Sequence, residues 1–370
     1  MKKDVGISMG LLESLKPSEE ERALELHKKA IVINALSYFS FRDEPGSLQR
    51  FQDYYRILVD GGITSVNLTV AVYDNLGQAC RNIAWVLRGM ESVGLDRICL
   101  IKSAEDIKRA KELGIPGIIL GFQNSDPLEG DISLLSLFRR IGVMVIQPTY
   151  STRSLAGDGC FERMDGGLSR FGLELIEEMN RLGILVDLSH CGDKTTLEAI
   201  EASKDPVSFT HTTVRALKPM NWRRAKTDEA IQALAEKGGV LGIVAESTFL
   251  KDGGGATFED YIAHIKYVIN LVGIDHVGLG PDIQEFQRKE NVDRLRALAQ
   301  KRWTEAKDRY PEAWYQSHTY YETFYVKGFE TMAKTINVTK ALVASGFSDS
   351  EILKILGLNF LRLFQRVWRH

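Results

Sequence analysis

Two histidines close strand-like apolar runs, Ile184-Leu185-Val186-Asp187-Leu188-Ser189-His190 and Pro206-Val207-Ser208-Phe209-Thr210-His211. Each run is apolar or β-branched, preceded by a turn signal (Gly183, Asp205-Pro206) and followed by polar residues, the pattern of a short buried strand. Imidazole is the commonest protein metal ligand and the side chain that titrates nearest neutral pH. Two strands ending in His, one crossover apart, aim two rings at a shared point. The chemistry such a pair supports is metal-assisted or acid–base.

Strands must carry those rings. Apolar runs recur at 31–35, 65–70, 117–122, 143–150, 184–190, 206–211, 239–245 and 276–282, with helix-period segments such as 173–179 and 227–234 between them. Gly114, Gly142, Gly183 and Gly238 stand where the intervening helices should stop. Hydrophobic strands alternating with helices predict a parallel sheet covered by helices, and eight repeats predict a closed (β/α)8 TIM barrel. An open doubly wound sheet is the alternative, but no GxGxxG follows the first strand. The whole of 1–370 reads as one domain. It has an N-terminal helical segment (1–30, Ser18 and Glu21 at capping-box spacing) and a charged, aromatic helical insertion after strand eight (283–330). That insertion suits packing on the barrel or a subunit contact, or a cover over the mouth. A last helix is expected from near Ser348, with Glu351 at capping-box spacing, through Trp368.

The formal net charge of -2 leaves no electrostatic footprint for nucleic acid or an anionic membrane. Apolar stretches are strand-length, short of a spanning helix, and no signal-peptide core follows Met1-Lys2-Lys3. Cys80, Cys99, Cys160 and Cys191 are scattered, which suits free thiols. The expected compartment is the cytoplasm.

Barrel chemistry lies at the C-terminal ends of the strands. By position alone these ends supply Asn34, Leu36 and Tyr38, then Gln123 and Asn124, Tyr150, His190, His211, Arg224 in the loop after strand six, and Asp282. Each has a duller reading: a strand-end His can be structural, Asp282 after Gly280-Pro281 suits a turn, and the run around Arg224 suits a solvated face. Asp187 could orient His190 or satisfy nearby backbone.

These stretches resemble the renal (membrane) dipeptidase family, peptidase family M19, of the metal-dependent hydrolase superfamily. The resemblance is carried by 167–172, 178–190, 206–211, 227–229, 238–242, His276-Val277-Gly278-Leu279-Gly280-Pro281-Asp282 and the terminal Gly357-Leu358-Asn359-Phe360-Leu361-Arg362. It implies two zinc ions sharing a bridging Glu, one held also by a His-x-Asp pair after strand one, the other by two His after strands five and six. His190 and His211 match the second pair. Leu36 and Tyr38 stand where the first pair would be, Gln123 replaces the bridging Glu, and Tyr150 replaces a substrate-side His. Arg224 matches the substrate-binding Arg, and Asp282 the Asp after strand eight.

This divergent pattern implies at most one zinc per chain, held by His190 and His211. The expected function is a dipeptidase-like metal-dependent hydrolase acting on a small amide or dipeptide-like substrate, with water activated by that single zinc. Asp282 would be general base, Tyr150 oxyanion donor, and Arg224, Gln123 and Asn124 substrate-binding. The alternative is a metal-free descendant serving as a lyase, isomerase or small-molecule binding protein. The resemblance also implies a homodimer.

Overall fold

Short β-branched runs ending at glycine, proline or a polar residue do form parallel strands here. The structure is a computed structural model and describes residues 10–39, 48–218, 222–251, 254–286 and 325–369. Most of the expected insertion at 283–330, and residues 1–9 of the expected N-terminal segment, lie outside the described residues. In chain order the strands are β1 (Ile33–Phe39), β2 (Ser65–Ala71), β3 (Cys99–Leu100), β4 (Gly117–Phe122) and β5 (Val143–Ile146). They continue with β6 (Leu185–Val186), β7 (Ser208–Thr212), β8 (Val240–Ile243), β9 (Val277–Leu279) and β10 (Ile283–Glu285).

All ladders are parallel and fall into two arcs, β10-β1-β2-β4-β5-β6 and β7-β8-β9, with β3 beside the start of β4. An isolated parallel bridge, Asp187 to Ser208, joins the arcs on one side, where Leu188 N–H donates to Ser208 O at 2.8 Å. On the other side, one stretch of chain runs from β9 beside β8 to β10 beside β1. The result is the (β/α)8 barrel, its ladder interrupted at those two seams.

Three expectations change in detail. The fourth and fifth strands stop at Ile146 and Val186, short of Tyr150 and His190. Beyond Val186 the Asp187 carboxylate accepts the Ser189 and Thr210 N–H groups, so side chain replaces ladder. The eighth run splits at Asp282, whose φ of 54° is left-handed, and resumes as β10 inside the expected insertion. At the N-terminus a short 3-10 turn precedes helix Pro17–Lys29, which starts at Pro17 with Lys16 N–H bound to Glu19 Oε2 at 2.9 Å, rather than at Ser18 with Glu21. Proline fixes φ for the first helical position and so sets that start.

The close spacing that seats the site depends on Gly280. A Cβ there would lie 1.8 Å from Thr210 O and 3.1 Å from His211 Cα, so only glycine lets the chain leaving β9 approach β7. At the chain's end Ser348 and Glu351 form the expected capping box, but the helix breaks at Gly357, and its last piece is Asn359–Val367. There Phe360, Leu363 and Phe364 pack with Ile33, Ala35, Val145, Leu185 and Val240 from early positions of the staves. That apolar cluster stoppers the barrel's N-terminal end. Function is left to the opposite end.

Candidate active site

A cavity of about 320 Å³ opens at the C-terminal ends of the staves. Tyr38 from β1, Gln123 after β4, Tyr150, Glu246 after β8, Asp282, Gln284 of β10 and Tyr325 line it, with Tyr73 and Asp74 after β2. Gln123 Nε2 donates to Thr69 Oγ1 at 2.9 Å, which fixes the amide's orientation. Tyr325 Oη accepts the Gln284 N–H at 2.8 Å, tying a residue distant in sequence to the rim.

Two carboxyl groups face this space with their protons held into the neutral range. Burial pushes Asp282 up to about 7, against the pull of the Arg224 guanidinium. Burial pushes Glu246 up to about 8, with the Thr248 hydroxyl bond at 2.8 Å opposing and Asp282 reinforcing the shift. Burial also raises the Tyr150 phenol, so it remains a hydrogen-bond donor.

Beneath Tyr150 lie the two imidazoles. The Tyr150 ring stacks on His190 at 3.9 Å between centroids, and His190 Nε2 is 3.0 Å from His211 Nε2. Ser151 Oγ holds His190 Nδ1 at 3.0 Å. Thr210 donates its hydroxyl proton to Asp187 at 2.6 Å, so its oxygen accepts from His211 Nδ1 at 2.8 Å. That relay leaves His211 Nε2 bare, and Asp187 orients His211 through Thr210 rather than touching His190. Arg224, 1% exposed, donates to Ser189 O and His211 O at 2.8 Å each, and its Nη2 is 3.2 Å from His190 Nε2. Burial, then the Arg224 charge, holds both imidazoles well below their ordinary pKa and therefore neutral.

The donor set does not fit a zinc centre. Zinc takes imidazole lone pairs at about 2.0–2.1 Å and wants at least three protein ligands. Two convergent nitrogens are present, but the guanidinium competes at one of them. No group of three His, Cys, Asp or Glu able to hold a metal occurs among the described residues. Leu36 is buried and without a donor atom, and Tyr38 and Gln123 offer neutral oxygens.

The structure thus brings Tyr150, Gln123 and Asp282 to one cavity and His190, His211 and Arg224 to a buried cluster behind it. Asn124 does neither: its amide donates to Asp126 Oδ2 at 2.7 Å, and it is not among the cavity's lining residues. Glu246, Tyr73 and Asp74 were not expected from sequence, although each follows a strand end in the same way as the residues that were. Buried Cys160 and Cys191 carry thiols pushed up by burial, Cys191 to about 12, so neither is a ready nucleophile.

Residues 57–307 match the family model described as membrane dipeptidase, peptidase family M19. A crystal structure of an amidohydrolase from Pseudomonas aeruginosa is 33% identical, with a TM-score of 0.80, covering 94% of this chain and 99% of its own. The probable dipeptidase PvdM of the same organism is 19% identical, with a TM-score of 0.76, over 96% of this chain and 100% of its own, and shows the fold. The dipeptidase tcpJ of Claviceps purpurea is 29% identical over 276 residues, 74% of this chain and 56% of that protein. The chain therefore spans little more than half the length of that curated relative.

Proposed function

Because the chain belongs to the membrane dipeptidase family, peptidase family M19, we propose that it hydrolyses a small amide or dipeptide-like molecule in the mouth cavity. The observation that carries this reading is the cavity itself. It is of dipeptide scale and lined by Asp282, Tyr150 and Gln123 at the stave ends where barrel enzymes place their chemistry. Zinc, where bound by members of this family, activates water and polarises a carbonyl. Here the hydrolytic roles are assigned to the chain's own groups. Asp282 accepts the proton of the attacking water, the Tyr150 phenol donates to the developing oxyanion, and Gln123 orients the amide.

The test is a panel of dipeptides and N-acyl amino acids of both hands, assayed with and without a chelator, beside elemental analysis of the protein. We expect turnover of at least one class, insensitive to the chelator, and at most one zinc per chain. Two tightly held zinc ions would overturn this account of β1 and β4.

Arg224 is a cation whose charge reaches the cavity, where it opposes the upward shifts of Tyr150, Asp282 and Glu246. We assign it to a substrate carboxylate. Arg224→Met is expected to raise KM for such substrates roughly tenfold, about 1.4 kcal/mol, while the matching carboxamides keep theirs. Equal changes for both would argue that Arg224 serves only the scaffold. Among the described residues no helix is long and apolar enough to cross a membrane. The homodimer is proposed on the family resemblance, and sedimentation would read it.

A further inference from the structure

We propose that Glu246 is the second proton-transfer group of this cavity, working with neighbouring Asp282 as a carboxyl pair in amide hydrolysis. The proposal rests on the hydrolytic reading above. Ala245 N–H donates to Pro281 O at 2.9 Å, which locks the two chain segments in register one residue before each acid. Glu246 and Asp282 therefore leave adjacent staves at the same height, and both line the same cavity. Thr248 occupies one Glu246 oxygen, and the Glu246 backbone is bridged to Tyr325 at the rim. The charged groups bearing on Glu246 are Asp282, Arg224 and Lys218; those on Asp282 are Arg224 and Asp187.

The two environments separate the groups. Burial raises both carboxyls, but Arg224 is the first influence opposing the rise at Asp282, while at Glu246 it ranks behind the raising effect of Asp282, so there is an interval of pH in which Asp282 is ionised and Glu246 still carries its proton. In that interval the Asp282 carboxylate takes a proton from water as the water oxygen bonds to the amide carbon. The C–N bond then breaks, and the departing nitrogen takes the Glu246 proton. Asp282 returns its proton to Glu246 or to solvent, and the sum is one water consumed, one acid and one amine released. The titration belongs to the pair, so the two limbs are those of the dyad.

The experiment compares L-Ala-L-Ala with the p-nitrophenyl ester of N-acetyl-alanine, whose leaving group departs without a proton. Glu246→Gln is expected to lower kcat on the dipeptide about 100-fold, abolish the alkaline limb of its pH profile, and cost under tenfold on the ester. Equal losses on both substrates, or a surviving alkaline limb, would overturn the assignment. Infrared titration of the protonated carboxyl band supplies a readout independent of turnover. The upper carboxyl midpoint of the parent, assigned to Glu246, should fall in Asp282→Asn because a like charge has gone. If the parent cleaves neither substrate, the hydrolytic reading fails. A midpoint unmoved by Asp282→Asn sinks the pair itself, whatever the kinetics.

Discussion

Asp282→Asn is expected to lower kcat by about 10²–10⁴-fold and remove the acid limb near pH 7. The variant should nevertheless be more stable than the parent in mild alkali. Asp282 has a folded pKa of about 7, raised above its unfolded value by burial. Its contribution to stability is therefore complete below the unfolded value near 4 and is lost as pH rises through 7. Above pH 7 the parent carries a partly buried charge that the amide avoids, a difference on the order of 2 kcal/mol after screening on the cavity side. Thermal melts at pH 5 and pH 8.5 check this: the variant's advantage should appear only at the higher pH. An Asn variant that is equally active, or less stable at pH 8.5, would remove Asp282 from the chemistry.

The second large effect is structural. Gly280→Ala places a methyl group 1.8 Å from Thr210 O, and the neighbouring contact is His211 Cα, so neither obstacle is a flexible side-chain tip. The staves must part. A loss of about 3 kcal/mol is expected, at the upper end for an overpacked core. Activity should fall further than stability alone explains, because the displaced segment carries Thr210, His211 and, through Ala245 and Pro281, the register of the two acids. Denaturant unfolding beside residual kcat at a temperature where the variant is folded would separate the two losses. A variant with parental stability would show that the approach of the Gly280 segment to β7 is looser than described.

The barrel was legible because its signals are local and repeated: apolar runs, helix-stopping glycines and His at two successive strand ends. The site was only half legible. Glu246 lay within reach of the same positional reasoning, being the residue after the seventh run. Tyr325 was not, since its place at the rim depends on a contact with Gln284 about forty residues earlier in the chain. Asn124 reads as a mouth residue by position, but its short side chain closes a local turn with Asp126, a competition spacing does not reveal. Arg223-Arg224-Ala225-Lys226 reads as a solvated charge run, yet Arg224 and Lys226 are both buried. Lys226 Nζ is spent on Cys191 O at 2.8 Å and Thr196 Oγ1 at 2.9 Å. Burial of a cation depends on carbonyls gathered from several loops, and no window of sequence displays that.

The packing of Phe360 and Phe364 against the staves has a corollary for ligand shape. Side chains fill the barrel's interior, so the mouth cavity does not continue through it, and a ligand comes and goes on the C-terminal side. A molecule too long for the chamber must project away from the packed staves, which makes its outer half the half that tolerates extension.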